Sequence, residues 1–208
     1  MKSEMPFHGV PTPVLRSICG SVFRDHPLPD AGSWRREVLG IWRGAKFREE
    51  RYAAVELAGD RRAREFEDLG ALPAYEEMIV TGAWWDTVDA IASHRIGALL
   101  RKHPTPMKRT LLDWSRCDDL WKRRAAILSQ LSFKGETDTA FLYACLEPSL
   151  ESKEFFLRKA IGWALRSYSW TDPGEVVRYV RAKGDALSPL SRREALKHAR
   201  PGPGRRDP

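Results

Sequence analysis

Residues 123–129, Arg123-Arg124-Ala125-Ala126-Ile127-Leu128-Ser129, recur in altered form along the chain. Arg51-Tyr52-Ala53-Ala54-Val55-Glu56-Leu57, Val88-Asp89-Ala90-Ile91-Ala92-Ser93 and Arg158-Lys159-Ala160-Ile161-Gly162-Trp163-Ala164 align with it, as does Arg192-Arg193-Glu194-Ala195-Leu196-Lys197-His198. The shared alanines, Ala53, Ala90, Ala125, Ala160 and Ala195, lie 37, 35, 35 and 35 residues apart. A fixed period of this size is the signature of a helical-hairpin repeat that buries its apolar face only by stacking on its neighbours.

The columns of the alignment give the faces. The residue after each alanine is Ala54, Ile91, Ala126, Ile161 or Leu196, apolar every time and hence expected in the core. The residue before it is Tyr52, Asp89, Arg124, Lys159 or Glu194, and the third residue after it is Glu56, Ser93, Leu128, Trp163 or His198. These two columns are four apart and share a helix face. The expectation is a polar stripe along the inner helices, on the concave side of a solenoid of HEAT or tetratricopeptide size.

Working outward, SWRREVLGIWRGAKF, EERYAAVELAGD, DLWKRRAAILSQL and SKEFFLRKAIGWALRSY all carry apolar residues at i, i+3, i+4 and i+7. Breakers fall between helices at Pro27–Pro29, Gly59, Pro73, Pro104–Pro106, Gly135, Pro148 and Pro173, leaving helices of about ten to sixteen residues. The fold class is all-α. The Pro/Gly-rich basic tail, residues 200–208, is expected to be disordered.

Composition narrows the function classes. The 208 residues hold 35 Lys+Arg against 28 Asp+Glu, a net charge of +7. No apolar run reaches membrane-spanning length, and the N-terminus has no signal-peptide core. Cys19, Cys117 and Cys145 form no C-x-x-C pair, and the histidines form no H-E-x-x-H. No metal site is therefore expected, and the cysteine usage fits a reducing cytosol. The charge is segregated: residues 101–134 hold nine basic side chains, including Lys122, Arg123 and Arg124, which points to a polyanionic partner or to a solvated face.

Trp84-Trp85-Asp86-Thr87-Val88-Asp89 is the stretch that could carry chemistry. Trp85 and Asp89 are i, i+4, so an indole lies one turn from a carboxylate. The repeat register sets Asp89 beside Arg124 on the next repeat, and Lys159 and Trp163 on the one after. A structural ion pair between Asp89 and Arg124 explains the spacing equally well. The column of Trp85 (Arg48, Trp85, Leu120, Phe155, Leu190) is mostly apolar and predicts a core indole; the column of Trp163 is mostly polar and predicts exposure. Trp114 and Trp121 read as core.

The chain resembles the AlkD-type DNA alkylation repair proteins, HEAT-like-repeat alkylpurine DNA glycosylases. The resemblance is carried by Phe7-His8-Gly9-Val10-Pro11-Thr12-Pro13, by residues 84–89, by residues 119–128, by residues 152–166 and by residues 187–195, in one order. It implies a right-handed superhelical solenoid of HEAT-like helical hairpins, one domain over residues 1–199, with a concave basic DNA-binding face. It implies excision of N3- and N7-alkylated purines from duplex DNA without base flipping, by a monofunctional, monomeric enzyme that needs neither metal nor organic cofactor and works in the cytoplasm or on the nucleoid. On this match Asp89 is the catalytic carboxylate, Trp85 and Trp163 cradle the lesion nucleotide, and Arg124 contacts DNA; Lys159, Lys122 and Arg123 extend the basic surface. For Trp85 the resemblance overrides the core reading. Family members carry a further N-terminal helix ending in a tyrosine ahead of the segment matching Met1-Lys2, and that helix is expected to be missing here. Non-catalytic recognition of branched or distorted DNA is the alternative reading, and a protein-binding HEAT scaffold a third.

Overall fold

The computed structural model describes residues 5–198, so the tail at 200–208 lies outside the described residues. Among those, every regular element is a helix. The chain divides into two compact units, Met1–Pro104 and Thr105–Pro208.

The first unit holds α1 (Thr12–Asp25), α2 (Ala31–Gly44), α3 (Arg48–Ala58), α4 (Leu72–Gly82), α5 (Trp85–Ala90) and α6 (Gly97–Lys102). Asp30 caps α2 by accepting the Ser33 N–H at 2.8 Å, which satisfies one of the donors a helix start leaves open. Trp34, Val38 and Trp42, spaced i, i+4 and i+8, bury one face of α2. Both indole N–H groups are satisfied inside: Trp34 donates to the Leu57 carbonyl at 3.2 Å and Trp42 to Thr81 Oγ1 at 2.8 Å. The Phe7–Pro13 stretch owes its place to Glu49. That buried carboxylate accepts the N–H groups of His8, Gly9 and Val10 at 3.0, 2.8 and 3.1 Å. Gly9 supports the wrap with a φ of +81°, a conformation that favours glycine.

The second unit holds α7, whose first residue is Pro104 (Pro104–Arg116), α8 (Leu120–Leu128), α9 (Thr139–Leu146), α10 (Phe155–Tyr168), α11 (Pro173–Lys183) and α12 (Pro189–Ala195). Side-chain caps open four of them: Asp119, Asp138, Asp172 and Ser188 accept backbone N–H groups one turn on. Helix α10 is the centre, packed against both α8 and α12. Its contact with α12 depends on Gly162, because a Cβ there would lie 2.6 Å from Glu194 Cβ and 3.0 Å from the Ser191 carbonyl oxygen.

The repeat register coincides with helix starts. Arg48, Trp85, Leu120 and Phe155 are the first residues of α3, α5, α8 and α10, and Leu190 is the second of α12. The expected core column holds at Ala54, Ile91, Ala126 and Ile161, all buried; Leu196, just past the end of α12, is half-buried. Trp114 and Trp121 are buried as expected.

Two expectations are corrected. The polar column is not an open stripe, since Asp89 and Arg124 are buried and Tyr52, Lys159 and Glu194 half-buried. In the column of Trp85 the pattern is inverted: charged Arg48 is buried, whereas Trp85 and Phe155 are exposed. Burial is set by what packs against each side chain from elsewhere in the chain and not by the repeat period: Phe7 lies against Arg48, and Arg124 donates to the Phe156 carbonyl.

Candidate active site on helix α5

The α4–α5 connection is a sharp one. Ala83 ends α4 in the left-handed region at φ 43°, and Trp84 follows in extended backbone, so that Trp85 becomes the first residue of α5. An alanine at positive φ is uncommon and marks a constrained pivot. Trp84 is half-buried, whereas Trp85 is 42% exposed. One turn on, Asp89 is 7% exposed. Helix α5 therefore carries an open indole and a nearly desolvated carboxylate at i, i+4. Immediately beyond, the helix widens into a π-helical segment over Ile91–Ile96 before α6 resumes, a local defect that recurs at functional sites. Ser93 Oγ donates to the Asp89 carbonyl at 2.6 Å at the start of that segment.

Behind the indole lies a cluster that the sequence did not single out. The carboxylate of Asp86, second residue of α5, forms an ion pair with Arg48 and accepts the Tyr52 hydroxyl at 2.6 Å. Its other oxygen accepts the Thr87 N–H at 2.7 Å. Arg48 Nε donates to the Tyr52 hydroxyl oxygen at 2.9 Å, closing a triangle. The guanidinium lies 5.3, 5.6 and 5.9 Å from the ring centres of Phe7, Tyr52 and Trp84, within cation–π range. Burial, which by itself disfavours the cation, is outweighed by Tyr52 and Asp86, so the Arg48 pKa is raised. Burial, and then the bond to Asp86, push the Tyr52 phenol up. A signal was available: Arg48 and Tyr52 occupy, one repeat earlier, the columns of Trp85 and Asp89.

The remaining predicted residues stand in the second unit. Arg124, on α8, is 4% exposed; its guanidinium donates to the Phe156 carbonyl and lies 5.9 Å from the Phe156 ring. Lys122 lies 5.3 Å over the Trp114 ring. Arg123 faces Pro148 and Ser149, donating to the Pro148 carbonyl at 3.1 Å and to Ser149 Oγ at 3.0 Å. Lys159 donates to Glu194 at 3.1 Å. Trp163, on α10, is half-buried where its column predicts exposure. Among the described residues no group of three or more His, Cys, Asp or Glu is placed to hold a metal ion. No helix among them is long and apolar enough to cross a membrane.

The sequence model of a family described as DNA alkylation repair enzyme matches residues 1–199, and the chain belongs to that family. Among solved structures it is similar to a predicted DNA alkylation repair enzyme from Enterococcus faecalis, at 29% identity and a TM-score of 0.82 over 92% of this chain and 87% of that one. A comparison with curated proteins gives no match.

Proposed function

We propose that this protein is a monofunctional alkylpurine DNA glycosylase, hydrolysing the N-glycosidic bond of N3- and N7-alkylated purines in duplex DNA without flipping the base. The observation that carries this reading is the pair on α5: an indole left 42% exposed one turn from a carboxylate that is only 7% exposed. The exposed indole face is free to meet a ligand beside the carboxylate, and a desolvated carboxylate acts far more strongly on nearby positive charge than one in water.

The chemistry asks for little else. Alkylation at N3 or N7 makes the purine a cation and so weakens its bond to the sugar. As the C1′–N bond breaks, its electron pair neutralises the departing base and positive charge develops on the deoxyribose. The Asp89 carboxylate stabilises that charge and orients the water whose oxygen bonds to C1′; one water is consumed and one proton released. Trp85 offers its face to the cationic nucleotide, worth about 0.5–2 kcal/mol, and Trp163 is assigned the second indole. Lys159, Lys122 and Arg123 are assigned to phosphate contacts, and Arg124, buried and donating to the Phe156 carbonyl, to a DNA contact that requires that bond to open.

The test is release of 7-methylguanine from methylated duplex DNA. Base release no faster than in buffer, together with tight binding of junction DNA, would replace this reading by the non-catalytic one. Absence of any low-salt affinity for DNA would favour a protein-binding scaffold, because phosphate contacts make affinity steeply salt-dependent.

A further inference from the structure

We propose that Arg48, Tyr52 and Asp86 form a positioning clamp that aims Trp85 and Asp89; this rests on the glycosylase reading above for what the aiming achieves. Helix α5 opens a helical run that continues through the π-helical segment into α6, and the residue before it, Trp84, offers no side-chain cap. It gives way directly to the π-helical segment at Ile91. In the second unit α8, α9, α11 and α12 are each closed by an aspartate or serine at the N-cap. Helix α5, like α1, α4 and α10, lacks that device, and its first turn is held in another way.

Asp86 supplies it. One oxygen holds the Thr87 N–H at 2.7 Å, and the other is fixed by Tyr52 and Arg48, the fifth and first residues of α3. Helix α3 is firmly seated at the same end: Glu49 accepts three N–H groups from His8, Gly9 and Val10, and Glu50 accepts those of Lys46 and Phe47 at 2.5 and 3.1 Å. The clamp therefore transmits the rigidity of one helix start to another. Trp85 sits between two restrained residues, Asp86 and Trp84, whose ring lies 5.9 Å from the Arg48 guanidinium. Being exposed, the Trp85 indole has little core packing to orient it, and its direction follows the backbone these neighbours hold. Asp89 follows one turn later on the same helix. A reacting group misplaced by an ångström loses much of its effect, and a first-turn restraint controls a displacement of that size.

Tyr52→Phe and Asp86→Asn test the clamp, read by amide hydrogen exchange over residues 84–92, by single-turnover base release at saturating protein, and by affinity for methylated duplex. Both variants are expected to exchange roughly tenfold faster in that segment, a local opening. The base-release rate constant is expected to fall about ten- to hundredfold, with duplex affinity unchanged. Unchanged exchange in both variants overturns the clamp whether or not the protein releases bases. Parallel losses of rate, affinity and melting temperature in Tyr52→Phe would mean a merely structural role and also overturn it. A wild-type protein that releases no base refutes the glycosylase reading instead, and exchange then decides the clamp alone.

Discussion

Lys159 on α10 donates to Glu194 on α12 at 3.1 Å, and the second oxygen of the same carboxylate accepts from Arg166 at 2.6 Å. One anion thus engages two of the cations of α10. The hydrogen bond from Lys159, together with the nearby charges, holds the Glu194 carboxyl below the usual carboxylate range. In a protein that grips phosphates, this carboxylate competes with the backbone of DNA for both side chains.

Glu194→Gln should therefore tighten binding to undamaged duplex at low salt. Its plot of log affinity against log salt should steepen by roughly one to two, since each released phosphate contact adds about 0.9 to the slope. Fluorescence anisotropy across a salt series measures both. Lys159→Ala should move the slope the other way; an unaltered slope in both variants would remove Lys159 from the DNA-binding surface.

Asp89→Asn keeps the shape of a nearly covered side chain and removes its charge. The excision rate constant for 7-methylguanine should fall by about 10²–10³, the scale of losing one preorganised electrostatic group, while duplex affinity holds within about twofold. Wild-type rates in this variant would displace Asp89 from the catalytic role.

For Arg124 the expectation has two parts, because the side chain is buried and bonded to the Phe156 carbonyl. Arg124→Ala should lower stability by about 1–3 kcal/mol through the unpaired carbonyl, seen as a drop in melting temperature, and should also weaken duplex binding. A stability loss with unchanged affinity at every salt concentration would leave Arg124 a structural role alone.

Glu49 makes a pH-dependent prediction. Burial works to raise its pKa, but the N–H groups of His8, Val10 and Gly9, together with its own, outweigh this and hold it below the ordinary value. A carboxyl depressed in the folded state stabilises above its unfolded pKa, about 4.3, and that contribution disappears as pH falls through the folded value. Glu49→Gln should accordingly melt lower than wild type near pH 7, by an amount that is constant well above the unfolded pKa of about 4.3 and shrinks as pH falls below it. A difference that grows on acidification would contradict the assignment.

Gly162→Ala should destabilise by about 1–3 kcal/mol, the usual cost of overpacking, because the new methyl group meets the Ser191 backbone at 3.0 Å as well as the Glu194 side chain. Thermal melting measures it; a neutral result would show that α12 can shift away from α10 freely.

What the sequence determined by itself is local. Apolar spacing announces helices, prolines and glycines punctuate them, and the alanine period reports helix starts, so Arg48, Trp85, Leu120 and Phe155 each open a helix. The i, i+4 placing of Trp85 and Asp89 is likewise fixed by helical geometry once α5 exists. Tertiary structure decided which of these side chains face solvent. Periodicity predicted a buried Trp85 and an accessible Arg124, and the folded chain has the reverse. The cause is that burial depends on what arrives from distant sequence: Phe7 and Tyr52 close over Arg48, and the Phe156 carbonyl takes Arg124. The clamp on Asp86 was invisible for the same reason, since its partners Arg48 and Tyr52 lie 38 and 34 residues away and only folding brings them to the carboxylate.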